Sequence, residues 1–476
     1  MSAIDVLVVG GGVSGLATAW GLARRGLGVR VWESAPVAGG KIRSNRGHGY
    51  LTERAATLVA GPGRGAGGLI DALGLSASRC DRAGDATRYL LYEGRLVALE
   101  PKLGGMLSSP LWSARGRLRL ALEPFMPSAP RGGEETVAAL IRRRLGREAL
   151  ERAIEPYVGG PLASDVMQAS APAVLPRLVE LERRYGSFAL GLLARRLLRR
   201  GRPAFEAFSF QGGMTTLVQA LARAPGVDLR TATSAVDLRP VKGGWRVTGR
   251  GDDGEHEVRA RQVVLALPAQ RAADLLAPLD GRLGALLAGI AYAPIAVVHV
   301  GLRATDLRHP VNGSGFLATR SSATAINGCL WTSSLFSGRA PRGRVLMSAY
   351  LGGARNPEVT AWDDRDCAAR TLADLDRLLG VRGAPEMLRV ERHRRGLPLY
   401  HGRYMGRLTA IDRCLAELPG LHLEANYRGG VAVRDRLLRG DALATRIAAL
   451  PGAFPTPSRT AASAAIGPGR PLRTAR

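Results

Sequence analysis

Cysteine is scarce in this chain. Four cysteines lie in 476 residues, at Cys80, Cys329, Cys367 and Cys414, with no C-x-x-C and no Cys/His cluster. That excludes a disulfide framework and a zinc site as organising features, and no metal ligand set is signalled. Aromatic residues make up 5% of the chain, and no basic–aromatic module accompanies them. A nucleic-acid partner is therefore not expected. No uncharged apolar run reaches about eighteen residues, so the pattern holds no transmembrane helix. The seven histidines are dispersed, and no nucleophile–base arrangement is visible. Neither a leader nor an internal repeat is visible. A reduced, cytoplasmic setting is the resulting expectation.

Acidic residues are the other shortage. There are 40 Asp+Glu against 67 Lys+Arg, most of the latter arginine, for a formal net charge of +27. Two sources fit such a balance: a bias toward Arg, Ala and Gly along the whole chain, or an anionic membrane surface or substrate. One segment bears on the second. "SFALGLLARRLLRRGRP" (187–203) interleaves Phe188, Leu192, Leu193, Leu197 and Leu198 with Arg195, Arg196, Arg199 and Arg200. As a helix it is amphipathic and basic, as interfacial helices are, and as domain-packing helices with solvated arginines also are. Peripheral attachment to the inner face of the cell membrane is the expectation it raises.

What the chain does have is glycine in a telling place. "VLVVGGGVSGLATAWGLARRGLGVRVWES" opens with a valine-rich run suited to a buried parallel strand. Gly10, Gly12 and Gly15 follow in G-x-G-x-x-G spacing, then a helical periodicity, then a second strand ending in Glu33. This is the dinucleotide-binding unit. Gly10 allows the tight turn, Gly12 lets a pyrophosphate reach the backbone, and Gly15 lets the helix close on the strand. Glu33 suits a ribose diol and disfavours a 2′-phosphate. "AGGKIRS" then places Gly39, Gly40, Lys41, Arg43 and Ser44 just beyond. Flavoproteins similar to the amine oxidases carry a G-G-x-x-R-[ST] stretch there, along FAD.

The rest of the chain reads in alternating pieces. Residues 1–80 read as the first part of an FAD-binding domain, and 85–205 as a mainly helical insert, clearest over Glu135–Val158. A second FAD-domain piece spans 206–285, with a hairpin turn at Gly243-Gly244. A sheet-containing substrate domain spans 286–395, and a third FAD-domain piece 396–450. A basic tail, 451–476, lacks periodicity and reads as disordered. The expected fold class is α/β: a Rossmann-type FAD-binding domain, a sheet-containing substrate domain and a mostly helical, membrane-associating insert.

From about residue 4 to 447 the chain resembles the protoporphyrinogen/coproporphyrinogen oxidase family of the flavin amine oxidase-like superfamily. The segments that carry the likeness are "EPYVGGPLASDVMQASAPAVLPRLVELERRYGS", "FSFQGGMTTLVQALA", "GLPLYHGRYMGRL" and "LEANYRGGVAVRD". The resemblance implies FAD as cofactor, lined by Gly10, Gly11, Gly12, Val13, Ser14, Gly15, Glu33, Ser34, Gly40, Lys41 and Arg43. It implies that the Val236 backbone meets the adenine, and that Val431, Ala432 and Val433 start a helix beside the flavin and pyrophosphate. Arg88 matches an arginine that holds a substrate propionate, and Gly160 a glycine whose backbone lies beside the tetrapyrrole.

The activity so implied is aromatisation of protoporphyrinogen IX to protoporphyrin IX in heme biosynthesis, with molecular oxygen as acceptor. FAD takes the hydrides and no side chain is assigned as catalytic; His401 reads as structural. Homodimerisation is usual in similar proteins, and no interface is specified here. Coproporphyrinogen III is the rival substrate. An amine oxidase, a carotenoid desaturase and a non-catalytic FAD- or tetrapyrrole-binding protein are the rival activities. Four departures from the family pattern motivate the last of these: Arg54-Ala55-Ala56 after Glu53, Ser164 for a glycine, Leu399 for a glutamine, and Glu424-Ala425 where a glycine precedes Asn426.

Overall fold

The computed structural model describes residues 4–62, 65–83, 87–99, 109–128, 133–198 and 205–450. The tail read as disordered, 451–476, and the arginines at 199 and 200 lie outside the described residues.

Valine-rich strand Ile4–Val9 is the centre of the first sheet. Val6 and Val8 pack into one core cluster and Leu7 and Val9 into another, so both faces of the strand are covered, as its unbroken apolar run requires. Its neighbours are Val29–Trp32 on one side and Gly254–Leu265 on the other, both parallel. Val227–Arg230 adds a parallel strand outside Val29–Trp32, and Leu421–Leu423 a short one beside Gly254–Leu265. Strands Thr233–Val241 and Gly244–Gly251 complete the sheet as an antiparallel hairpin. The hairpin turns where the Gly-Gly pair stands, and Gly243 has φ +83.

The second sheet runs in the order Met387–Pro398, Tyr292–Arg303, Arg344–Gly352, Ile326–Trp331, Gly315–Ala318, Arg88–Tyr92, Arg95–Leu99. Helix Asp364–Leu379 covers one face, started by a capping box between Asp363 and Asp366. The last two strands are a finding against the sequence reading, which placed them in a mainly helical stretch. Glu93 (φ 50) and Gly94 (φ 74) form a tight turn between them, with the two positive φ values of a type I′ hairpin. Arg88–Tyr92 then pairs in parallel with Gly315–Ala318, more than two hundred residues away.

Helices Val137–Arg144, Pro176–Tyr185 and Phe188–Leu198 belong to a separate helical layer with its own apolar cluster, which also takes Leu90 from the second sheet. The periodic stretch Glu135–Val158 is not one helix. Gly146, at φ +89, stops the first helix, a π-turn spans Leu150–Ile154, and Glu155–Gly159 follows as a short helix with Pro156 in its first turn. A three-stranded antiparallel sheet (59–62, 79–81 and 205–210) lies between the layers in sequence.

Each large sheet holds a histidine shifted by desolvation: His299, fully buried, and His422, half-buried. His299 shares a hydrogen bond with Ser348 Oγ at 2.9 Å, and His422 with Gln262 Oε1 at 2.8 Å. Burial pushes each down from 6.5 to about 4. The folded values are depressed, so the unfolded chain takes up protons first as pH falls. Their contribution to stability is therefore complete above about pH 6.5 and is lost toward pH 4, roughly 3 kcal/mol per histidine. The melting temperature should fall steeply across that window, and His422→Gln should flatten the fall. A melting temperature constant from pH 6.5 to 4 would show that these rings are not held neutral.

Candidate functional site

Three glycines in the first loop serve three different purposes. Gly10 has φ +108 and a Cβ there would lie 2.6 Å from Ala266 O; its N–H donates to Trp32 O at 2.7 Å. A Cβ on Gly15 would lie 1.9 Å from Gly10 O, so only glycine lets helix Val13–Ala23 close on the strand. At Gly12 a Cβ would meet nothing within 4 Å. Protein packing does not require glycine there; the space at the helix start is open. Gly12 caps that helix with no side-chain hydrogen bond, and no acid stands in the first turn. An uncapped helix start beside open space is what a pyrophosphate needs.

Glu33 is buried against this loop. Its Oε2 accepts the Gly11 N–H at 2.7 Å and its Oε1 the Ala35 N–H at 2.8 Å, with the exposed Ser34 Oγ at 3.3 Å. The next strand arrives beside it: Thr233 N–H donates to Glu33 O at 2.9 Å. Val236 lies on that strand at a bulge, between the pairs Ala235–Gly249 and Asp237–Thr248. A bulged residue leaves its own amide out of the ladder. Val236 thus stands outside the regular ladder, three residues beyond the Thr233 that contacts Glu33.

Gly40 (φ +60) sits against Gly12, its Cβ position 3.4 Å from the Gly12 Cα. Lys41 Nζ donates to Gly396 O at 2.5 Å and lies 5.5 Å from the Tyr292 ring centroid. Burial pushes this ammonium down to about 8. Arg43 reaches Val37 O at 3.3 Å. A second helix, Val433–Ala448, packs on the first: Gly440 approaches Thr18 N and Gly21 approaches Ala444 Cβ, where Cβ atoms would come to 2.9 and 2.8 Å. The contacts advance together along both chains, so the helices run parallel and start at the same end. The second is also uncapped, at Ala432, with Val431 before it and Val433 as its first residue. Two bare helix starts and an acid fit a dinucleotide cofactor.

Arg88 and Gly160 lie elsewhere, at the junction of the second sheet and the helical layer. Arg88 begins its strand opposite Gly315 and has no hydrogen bond or ion pair to its side chain among the described residues. Desolvation pushes its guanidinium down from its usual value, and the charge of Arg82 adds to this, against a favourable field from Tyr157. Gly160 is crowded by the protein itself. A Cβ there would lie 2.9 Å from both Leu317 Cδ2 and Pro156 O, so glycine is needed to bring the Glu155–Gly159 helix onto the strand beside Arg88.

The structure adds Tyr404 and Arg436, which motif reading passed over, and gives partners to Tyr400, Ser164, His401 and Glu424. Tyr400 OH donates to Asn426 O and Tyr404 OH to Tyr427 O, each at 2.7 Å. Arg436 is buried with Glu424, Nη1 to Oε1 at 2.9 Å. Ser164 Oγ and His401 Nε2 share a hydrogen bond of 2.9 Å, and desolvation pushes His401 down, against the field of Asp165. Tyr400 and Tyr404 stand at helical spacing; the other two pairs are too far apart in sequence to be read from it.

The chain matches the model of the flavin-containing amine oxidoreductase family over residues 13–429. It is 30% identical to the chloroplastic protoporphyrinogen oxidase of Oryza sativa subsp. japonica, covering 90% of this chain and 85% of that one. It is 26% identical to coproporphyrinogen III oxidase of Bacillus subtilis (strain 168), covering 92% and 96%. Among solved structures, cyclohexylamine oxidase from Brevibacterium oxydans IH-35A shares the fold with a TM-score of 0.65 at 17% identity, covering 94% of this chain and 99% of that one. A structure from Exiguobacterium sp. 255-15 shares it with a TM-score of 0.78 at 23% identity, covering 94% and 99%. The chain belongs to the flavin-containing amine oxidoreductase family, on its porphyrinogen oxidase branch, and its cofactor is FAD.

Proposed function

We propose that this protein oxidises protoporphyrinogen IX to protoporphyrin IX with molecular oxygen as the final acceptor. The observation that carries the reading is Arg88: an exposed guanidinium with no carboxylate partner among the described residues, at the end of its strand in the second sheet, between Gly315 and Leu99. A propionate can accept two parallel, charge-assisted hydrogen bonds from such a free guanidinium. Gly160 sets the spacing between the Glu155–Gly159 helix and the sheet beside that arginine. Bound FAD supplies the hydride acceptor. The chain binds the tetrapyrrole, orients a bridging carbon and excludes water. Pyrrole nitrogens stabilise the charge that develops there, so the reaction makes little demand on acid or base side chains. Coproporphyrinogen III, with two further propionates, is the second reading, favoured by the additional charge of Arg82 near Arg88.

The helical layer presents an apolar surface. Phe125 is 79% exposed and Leu197 76%, with Leu118, Leu190, Leu192 and Leu193 also exposed. One carboxylate joins these elements: Glu123 accepts from Ser187 Oγ at 2.6 Å and from the Phe188 and Ala189 N–H groups at 2.9 and 3.0 Å. The turn at Phe125 and the start of helix Phe188–Leu198 are thereby held side by side. No described helix is long and apolar enough to cross a membrane. An apolar face with arginines fits the surface of an anionic leaflet.

Aerobic assay of the purified protein with each porphyrinogen, followed by porphyrin fluorescence and peroxide formation, tests the activity. Turnover of protoporphyrinogen IX is expected; turnover of coproporphyrinogen III alone would replace the substrate, and a protein inert on both would overturn the reading. Arg88→Ala should raise KM by about tenfold, the effect of losing a charge-assisted hydrogen bond, and leave FAD content unchanged. Unchanged kinetics would remove Arg88 from the site. The protein should sediment with phosphatidylglycerol vesicles and not with phosphatidylcholine vesicles. Leu193→Glu should abolish sedimentation without altering the melting temperature; sedimentation unaffected by it would rule out this face.

A further inference from the structure

The loop 424–430 leads into the helix start beside which the flavin end of the cofactor is expected. Its backbone is tied down to an unusual degree. Four successive carbonyls, of Ala425, Asn426, Tyr427 and Arg428, each accept a hydrogen bond from a buried side chain. Arg436 Nη1 donates to Ala425 O at 2.5 Å and Arg436 Nη2 to Arg428 O at 2.8 Å. Tyr400 OH and Tyr404 OH take the two carbonyls between them. One guanidinium thus spans the beginning and the end of the turn, and two phenols from another segment hold its middle.

A guanidinium that is 2% exposed needs a counter-charge. Glu424 supplies it, in the Glu424-Ala425 pair that stands where the family pattern has a glycine before Asn426. Its carboxylate is also 2% exposed and pairs with Arg436 at 2.9 Å, with Arg439 further off at 3.7 Å. Its backbone N–H donates to Leu265 O at 3.1 Å, which fixes it at the carboxyl end of the parallel strands, where α/β sheets bind their ligands. Arg436 itself is in the first turn of helix Val433–Ala448, its N–H on Ala432 O at 3.1 Å. The acid is anchored to the sheet and the base to the helix. Their pairing sets how far the uncapped helix start stands from the strand ends.

We propose that Arg436, with Glu424 as its counter-charge, is a positioning residue for FAD: the pair holds the loop and helix start in the geometry that receives the flavin end. The arrangement is reciprocal. Removing the acid strands a buried cation, and removing the base strands a buried anion and releases two carbonyls. Removing both leaves neither member of the pair without its counter-charge, while the two carbonyls stay released. The inference rests on FAD as cofactor and not on the porphyrinogen reading, so a protein inert toward porphyrinogens leaves it standing.

The test is the rate at which purified holoenzyme releases FAD, followed by the rise in free-flavin fluorescence on dilution, beside the melting temperature of the FAD-free protein. Glu424→Gly and Arg436→Leu should each speed release at least about tenfold, a loss of roughly 1.4 kcal/mol. The double variant should release FAD clearly more slowly than the product of the two single effects predicts, and no more slowly than the parent. Should Arg436→Leu fail to fold, Tyr400→Phe, which frees one carbonyl of the same turn, should still speed release several-fold while the melting temperature of the FAD-free protein changes little. Parental release rates in both Glu424→Gly and Tyr400→Phe would overturn the proposal. So would a double variant whose loss equals the sum of the two single losses, or a loss that merely tracks the melting temperature.

Discussion

One buried carboxylate ties the chain's distant pieces together at the cofactor side of the molecule. Glu53 accepts from Ser44 Oγ at 2.6 Å, from the Met214 N–H at 2.9 Å and from Arg339 Nη1 at 2.5 Å. Arg339 also reaches Ser209 Oγ. Both charged side chains are about 1% exposed. Burial pushes the acid up and the arginine opposes this. Breaking such a pair on one side costs about 3–5 kcal/mol. Its donors come from the segment after the glycine-rich loop, from the strand and turn that return the chain to the first sheet, and from the loop before strand Arg344–Gly352. The two sheets keep a fixed relation because these groups meet at one carboxylate.

The same device recurs. Arg144 pairs with Glu123 in the helical layer, Arg355 with Glu155 between that layer and the second sheet, and Arg436 with Glu424 under the closing loop. In each case the guanidinium also donates to at least one backbone carbonyl, to Met126 O, Ala318 O and Ala425 O respectively. A lysine has one nitrogen and cannot span such sets of acceptors. The arginine excess of the composition is therefore not wholly a solvated surface. Part of it forms the joints of a fold whose sheets are assembled from segments far apart in sequence.

This explains what the sequence discloses and what it withholds. The unit from Ile4 to Glu33 is legible because every constraint on it is local: a strand buried on both faces, a turn only glycine can make, and a helix pressed on that turn. The hairpin at Gly243-Gly244 is legible for the same reason. Strands Arg88–Tyr92 and Arg95–Leu99 form a local hairpin about Glu93-Gly94 whose turn signal is outweighed by the helical stretch that follows; only the parallel partner at Gly315–Ala318 leaves no local signature. The bulge at Val236 and the pairing of Glu424 with Arg436 depend on registers that no spacing encodes. Gly160 carries a sequence signal, yet its reason is visible only in the crowding by Leu317 and Pro156.

The departures from the family pattern decide between a working site and a decayed one. A decaying site accumulates polar groups without partners, since nothing selects for their satisfaction. Here the polar departures have charged or hydrogen-bonding neighbours, although the Nε atoms of Arg54 and Arg436 make no hydrogen bond among the described residues. Ser164 is hydrogen-bonded to His401. Glu424 is paired with Arg436. Arg54, where the family backbone meets the flavin, stands 3.4 Å from Glu391, and its own carbonyl accepts from His393 Nε2 at 2.8 Å. Leu399 replaces a polar residue with an apolar one and keeps its backbone N–H on Ala291 O at 2.8 Å. Ser164, Glu424 and Arg54 each have a neighbour of complementary chemistry, and the space at Gly12 and the two helix starts without a side-chain cap stay compatible with a bound cofactor. They argue against the non-catalytic reading that the same departures, taken singly from the sequence, raise.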